Sequence, residues 1–267
     1  MPSDVPEPPR NVVWIASYPK SGNTWVRFLA CNLLYGRQDS AAALAVLVPD
    51  VHESAPAIAD STAAMLVKTH YAFCAGMPLR ERTAAAIYVV RDPADVLVSN
   101  FHYIQRSTAI AGAAFDDYVD SFIRHRGDPR WSQLGMGSWE ENVRSWLAPR
   151  QTFPVLRLRY EDLTADPESA CRAMARLLGL DRSASQVHEA VLNSSFQRMR
   201  EVEEADIREQ RLGIFYKPYL QHAVDSGMRF MRSGVVGDGA ARLDRAQRAR
   251  LRSEFRPVLA QLGYAME

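Results

Sequence analysis

The run Val-Val-Trp-Ile-Ala-Ser at Val12–Ser17 breaks at Tyr18-Pro19, with Gly22 shortly after. From Asn23 the apolar residues Trp25, Val26, Leu29, Leu33 and Leu34 recur at the spacing of one helix face. The chain therefore opens as strand, tight loop and helix. No other feature constrains the fold as strongly, because a buried strand feeding directly into a helix returns over the face of a parallel sheet.

Three further apolar runs, at 65–67, 84–90 and 155–158, repeat the pattern. Each ends in a polar cluster: Lys68-Thr69-His70, Arg91-Asp92-Pro93 and Arg159-Tyr160-Glu161-Asp162. Pro93 suits the first turn of a helix whose apolar face holds Val96, Leu97, Phe101 and Ile104. Helical patterns follow at 167–178 and 184–192. Short strands alternating with helices predict an α/β fold: one domain with a central, mainly parallel sheet flanked by helices. Ligands bind such sheets at the carboxyl ends of the strands, where every polar cluster falls. The stretches 38–63, 107–137 and 203–230 mix polarity with Gly, Pro and Ser, and read as loops forming lids and acceptor walls that are mobile without ligand. The Pro-rich, acidic residues 1–10 are expected to be a flexible N-terminus, and 11–267 the domain.

Composition bounds the function. The 267 residues carry 32 Lys+Arg against 31 Asp+Glu, a formal charge of +1, which argues against general nucleic-acid binding while permitting a local basic pocket. No signal-peptide core and no membrane-length apolar run is present, so a cytoplasmic location is expected. Cys31, Cys74 and Cys171 are widely spread without metal spacing and read as reduced core thiols.

The chemistry concentrates first in Ser17-Tyr18-Pro19-Lys20-Ser21-Gly22-Asn23-Thr24-Trp25. Gly22 lets the backbone approach an anion, and the helix start supplies N–H donors and the positive end of its dipole. Lys20 adds charge, Ser21, Asn23 and Thr24 add donors, and Trp25 offers an aromatic face. A phosphate loop of kinases and ATPases requires G-x-x-x-x-G-K-[ST]; here the lysine precedes the glycine. The Lys-Ser/Thr pair that handles a γ-phosphate and Mg²⁺ is therefore out of register, and the loop reads as an anion site without metal.

This loop resembles the 5′-phosphosulfate loop of sulfotransferases that use 3′-phosphoadenosine 5′-phosphosulfate (PAPS), with Asn23 where Thr is usual, and the resemblance runs almost to the C-terminus. It implies the P-loop-NTPase-like sulfotransferase fold, PAPS as co-substrate and PAP as product, with no metal. It further implies that Arg91, at a strand end, and Ser99, eight residues on, hold the 3′-phosphate, a contact suited to a guanidinium. Arg232-Ser233-Gly234 resembles the late loop that closes over the same phosphate, with Ser233 replacing a usual Lys and Gly239 a usual Trp. Tyr160, Ser194 and Phe196 match residues around the adenine, forming an aromatic slot with Trp25.

Lys68-Thr69-His70 matches the family's Lys-Thr-His and implies His70 as the general base; His52, His102, His125, His188 and His222 compete with it on composition alone. An acceptor hydroxyl must lose its proton as its oxygen approaches sulfur, and imidazole is suited to that near neutral pH. Lys20 would stabilise the leaving-group oxygens, Lys68 would assist, and Ser99 would contact Lys20.

The stretch Gly137-Ser138-Trp139-Glu140-Glu141-Asn142-Val143-Arg144-Ser145-Trp146 resembles bacterial enzymes that sulfate glycopeptides and other natural products, although Ser138 with Glu141 also forms a plain capping box. The expected partner is a small-molecule or natural-product hydroxyl acceptor, with no nucleic acid or membrane. The short dimer motif of many animal members is absent around 242–256, leaving monomer and homodimer open. Three alternatives remain: a nucleotide kinase or other P-loop NTPase, a catalytically dead PAPS-binding module, and a member whose sulfated product is an intermediate for dehydration or elimination.

Overall fold

A computed structural model describes residues 9–53, 63–107, 114–148 and 151–265. Four strands, β1 (Val12–Ser17), β2 (Met65–Thr69), β3 (Thr83–Val90) and β4 (Val155–Arg159), form an all-parallel sheet in the order β2-β1-β3-β4. The chain leaves β1 toward β2 on one side, then crosses back to β3 on the other. A crevice opens at the carboxyl ends of β1 and β3, where this reversal occurs.

Thirteen α-helices are assigned among the described residues. They are α1 (Asn23–Tyr35), α2 (Ala41–Leu47), α3 (Pro93–Ser107), α4 (Phe115–Arg124), α5 (Pro129–Gln133), α6 (Trp139–Trp146), α7 (Tyr160–Ala165), α8 (Pro167–Leu177), α9 (Ala184–Leu192), α10 (Phe196–Arg208), α11 (Gln221–Asp225), α12 (Asp238–Arg242) and α13 (Arg245–Leu262).

The strict alternation of β1 explains the three layers. Val12, Trp14 and Ala16 enter one core with residues of α3, α4, α6 and α13. Val13 and Ile15 enter the opposite core with α1, α2, α8, α9 and α10. A strand buried on both faces has no room for polar side chains until it emerges at its end.

Two expectations are corrected. The stretches read as loops contain helices: α2 within 38–63, α4 and α5 within 107–137, and the end of α10 with α11 within 203–230. α2 and α5 span only seven and five residues, too short to show a helical period, and capping carries their signal, whereas α4 places Phe115, Tyr118, Val119, Phe122 and Ile123 on one helical face that the sequence does display. Ser40 caps α2 and Asp128 caps α5 through side-chain bonds to backbone N–H groups. Cys31 and Cys171 are buried as expected, but Cys74 is exposed. The capping box on α6 forms in both directions, Glu141 N–H donating to Ser138 Oγ at 3.2 Å and Ser138 N–H to Glu141 Oε2 at 2.8 Å. Residues 1–8 of the expected flexible terminus, together with 54–62 and 108–113 of the expected lids, lie outside the described residues. Among the described residues no helix is long and apolar enough to cross a membrane.

Candidate active site

A cavity of about 530 Å³ opens at the carboxyl edge of the sheet. Its wall includes Lys20, Gly22, Asn23, Thr24, Trp25, Lys68, His70, Arg91, Ser99, Tyr160, Phe196, Arg232, Ser233 and Gly234. These come from six separate stretches of chain, and the strand ends bring them together. Ser21 and Ser194 are not part of the wall. Both are fully buried; Ser194 Oγ accepts from Asn32 Nδ2 and donates to the Ala190 carbonyl, both at 2.7 Å.

The loop after β1 turns through positive φ at Lys20 (69°) and Gly22 (104°) before α1 begins. The start of α1 carries no side-chain cap, so its first N–H groups remain available as donors. A Cβ on Gly22 would meet Tyr160 Cδ2 at 2.6 Å, so glycine allows the tyrosine ring to lie directly against the loop. Tyr160 in turn packs edge-on to Trp25 at 5.6 Å and carries the Arg91 guanidinium over its face at 4.2 Å. Asn23 turns inward: its Nδ2 donates to the Ile15 carbonyl at 3.0 Å and to Ser17 Oγ at 3.3 Å, securing the loop to β1.

Arg91 donates to Asp95 Oδ2 at 3.2 Å and to the Val235 carbonyl at 2.8 Å. Asp95 also accepts the N–H groups of Gly237 and Gly239, at 3.0 and 2.7 Å. One carboxylate thus ties the late loop to the start of α3. Gly239 is required there, since a Cβ would meet the Ala94 carbonyl carbon at 2.4 Å. The neighbouring Arg232 pairs with Asp238.

Lys20 Nζ lies 4.3 Å from the ring centres of both Tyr103 and Phe230. Burial first, then the like charges of Arg106, Arg91 and Arg232, lower its pKa to about 7. Glu203 opposes this weakly, its carboxylate being occupied by the N–H groups of Phe230 and Met231 at 2.5 and 2.9 Å. Such an under-compensated cationic pocket favours a multiply charged anion. The chain contains three lysines, Lys20, Lys68 and Lys217, and all three line this cavity.

His70 emerges one residue beyond β2. Its Nδ1 lies 2.8 Å from the Ser17 carbonyl oxygen and 3.2 Å from Ser17 Oγ, and its own carbonyl accepts from Asn142 Nδ2 at 2.9 Å. Burial first, then the positive charge of Lys68, holds its pKa well below the ordinary 6.5. Lys68 pairs with Asp50 at 2.7 Å; burial lowers its pKa to about 8 against the pull of that carboxylate.

Sequence reasoning missed Asp50, Tyr103, Arg106 and Phe230, and considered His52 only as a competitor for the base. Asp50, His52 and Phe230 lie in the mixed-polarity stretches, and Tyr103 and Arg106 lie on α3 outside the apolar positions that mark it, so neither periodicity nor a strand end singles them out.

A model of the sulfotransferase domain family matches residues 10–263. The chain belongs to the PAPS-dependent sulfotransferases. The enzyme is 27% identical over 263 residues to sulfotransferase 1A1 of Canis lupus familiaris, covering 93% of this chain and 83% of the relative. It is 26% identical over 260 residues to sulfotransferase 1A1 of Bos taurus, covering 92% and 82%. Its fold matches that of mouse sulfotransferase SULT7A1 complexed with PAP, at a TM-score of 0.69 and 20% identity over 96% of this chain and 85% of that one. It also matches retinol dehydratase in complex with androsterone and inactive cofactor PAP, at 0.69 and 20% identity over 94% and 81%. The enzyme is thus an α/β sulfotransferase that uses PAPS, and the P-loop kinase alternative falls with that membership.

Proposed function

We propose that the enzyme transfers the sulfuryl group of PAPS to a hydroxyl of a small organic acceptor, a natural product being the favoured class, with His70 as general base. The observation that carries this is the bond from His70 Nδ1 to the Ser17 carbonyl at 2.8 Å. A carbonyl only accepts, so Nδ1 holds the proton and Nε2 keeps its lone pair for an acceptor hydroxyl. The lowered pKa of His70 keeps that lone pair free at neutral pH.

The cationic and aromatic side chains of the cavity support PAPS as its ligand. Arg91, Ser99, Arg232 and the backbone at Ser233 and Gly234 would hold the 3′-phosphate. Trp25, Tyr160 and Phe196 would flank the adenine, while the start of α1, with Lys20 and Thr24, would receive the phosphosulfate. PAPS supplies the sulfuryl group and a phosphate leaving group. Lys20 would stabilise the charge that grows on the leaving oxygens, Lys68 would add a second cation, and Ser99 would contact Lys20. The acceptor proton passes to His70 Nε2. The solved retinol dehydratase complexes, one with androsterone and one with retinol, contain alcohols beside PAP and support a hydroxyl-bearing acceptor. The same relatives keep open a product that is an activated intermediate for dehydration.

A screen of phenols, sterols and glycopeptides with ³⁵S-labelled PAPS, read by product mass spectrometry, tests the reading. Transfer of label to a hydroxyl is expected and should vanish in His70→Ala. Binding of PAP without transfer to any hydroxyl would favour the non-catalytic module.

A further inference from the structure

Residues 49–52 form a strap along the outer edge of β2. Lys68 N–H donates to the Pro49 carbonyl at 2.8 Å, and Val51 N–H donates to the Lys68 carbonyl at 3.1 Å, so Asp50 and Lys68 sit opposite each other as in a parallel ladder. Past Asp50 the strap turns, Glu53 N–H donating to the Asp50 carbonyl at 3.0 Å, and the turn brings His52 back toward the end of β2. Asp50 thus faces Lys68, and His52 faces His70.

The side chains use that register. Asp50 Oδ2 accepts from Lys68 Nζ at 2.7 Å, and Asp50 Oδ1 accepts the His52 N–H at 3.0 Å. His52 Nε2 accepts the backbone N–H of His70 at 2.8 Å. That bond leaves the His52 proton on Nδ1, and it exists only while His52 is neutral. Burial first, then Lys68, lowers the His52 pKa to about 4, which secures the neutral form. The Tyr71 ring holds the imidazole, the two ring centres being 4.2 Å apart. Behind the strap, Arg27 donates to the Val48 carbonyl at 2.6 Å and anchors its start to α1.

From this juxtaposition we infer that Asp50 and His52 are positioning residues of the sulfuryl-transfer site, Asp50 setting the place and charge of Lys68 and His52 setting the backbone of His70. The inference rests on the roles proposed for Lys68 and His70. Among the groups facing the Lys68 ammonium, Asp50 and Glu53 favour its charge, whereas Arg27 opposes it. Asp50 is the nearest carboxylate in ion-pair contact, at 2.7 Å. Without it, only the weaker pull of Glu53 opposes burial and Arg27, and the ammonium loses its proton at lower pH. Without His52, the His70 N–H loses its acceptor at the point where the imidazole must hold its angle to the pocket.

The three lysines make this readable without any acceptor. In protein carrying ¹³Cε-labelled lysine, three signals are expected, assigned by Lys20→Met, Lys68→Met and Lys217→Met. In Asp50→Asn the Lys68 titration midpoint should fall by about 1 pH unit or more while that of Lys217 stays in place. An unchanged Lys68 midpoint would overturn the role of Asp50, and Asp50→Ser provides the same reading if the asparagine variant does not fold. For His52, the ¹⁵N–¹H signal of His70 should move and its amide exchange quicken in His52→Phe but stay near wild type in His52→Gln, whose carbonyl can still accept. Equal signals in both variants would sink it. With 2-naphthol and PAPS as the probe pair, His52→Phe should lower kcat at least tenfold with PAP affinity intact, and His52→Gln should recover much of it. Unchanged kcat in His52→Phe would also count against the positioning role. Because the spectra do not depend on turnover, a catalytic role lost by Lys68 or His70 would leave the NMR results standing, so the two failures separate.

Discussion

His70 Nδ1 lies 2.8 Å from the Ser17 carbonyl oxygen, so the last carbonyl of β1 selects the tautomer of the residue that follows the neighbouring strand. The geometry leaves Nε2 unprotonated, and burial keeps it so. His70→Ala should lower kcat about 10²–10⁴-fold while PAP binding by calorimetry stays close to wild type. Because the folded-state pKa lies well below 6.5, the base is neutral above that value and is lost only on further acidification. The kcat profile should therefore lack an acid limb at or above pH 6.5; a limb there would assign the base to another group.

Lys20 makes nucleotide binding pH-dependent. With a pKa of about 7 in the free enzyme, it is mostly neutral at pH 8, and a bound anion favours the charged form. PAP association at pH 8 should therefore take up protons, and affinity should weaken as pH rises through about 7. Calorimetry in buffers of different ionisation enthalpy measures the uptake, which should shrink in Lys20→Met. Identical heats in all buffers would contradict the assignment.

Gly234 has φ of +67°, and a Cβ there would meet Phe196 Cδ2 at 2.4 Å. Its carbonyl accepts from the Tyr160 hydroxyl at 3.0 Å, so the late loop is seated on the two rings assigned to the adenine. Gly234→Ala should weaken PAP binding by about tenfold or more, equivalent to ~1.4 kcal/mol, with only a small change in melting temperature. Equal affinity for PAP would place the loop outside the nucleotide site.

Ser194→Ala separates packing from recognition. The hydroxyl is buried between Asn32 and the Ala190 carbonyl and does not reach the cavity wall. Its removal should destabilise the fold by about 1 kcal/mol in urea denaturation and leave PAP affinity unchanged. A selective loss of PAP affinity would restore Ser194 to the adenine slot.

Chelation provides a further check. Lys20 precedes Gly22 instead of following it, so no Lys-Ser/Thr pair is placed to share a phosphate with Mg²⁺. Transfer rates should be the same with and without EDTA. A loss restored by Mg²⁺ would mean the loop after β1 handles its anion through a metal.

Much of the frame was legible from the chain. The strand at Val12–Ser17 and the helix at Ala184–Leu192 have the expected limits, and the other strands differ by one or two residues. Buried parallel strands are mostly apolar, so their ends are visible to within the one or two polar residues, such as Lys68-Thr69 and Arg159, over which β2 and β4 run on. Lys20, Lys68, His70 and Arg91 were visible for the same reason. The acceptor side was not. Tyr103 lies well along α3, Phe230 follows a stretch of short polar helices, and Asp50 belongs to a strap with one ladder contact.

What the sequence settles by itself is local: which segments extend or coil, where an anion can meet a helix start, and which side chains stand at strand ends. Backbone sterics and apolar periodicity act over a few residues, so those properties are written in neighbouring letters. Only the tertiary structure decides that the Ser17 carbonyl meets the His70 ring, that Asp95 gathers the late loop, and that Asp50 and His52 lie against Lys68 and His70. Those relationships depend on the parallel order β2-β1-β3-β4, which brings residues far apart in the chain within hydrogen-bond reach.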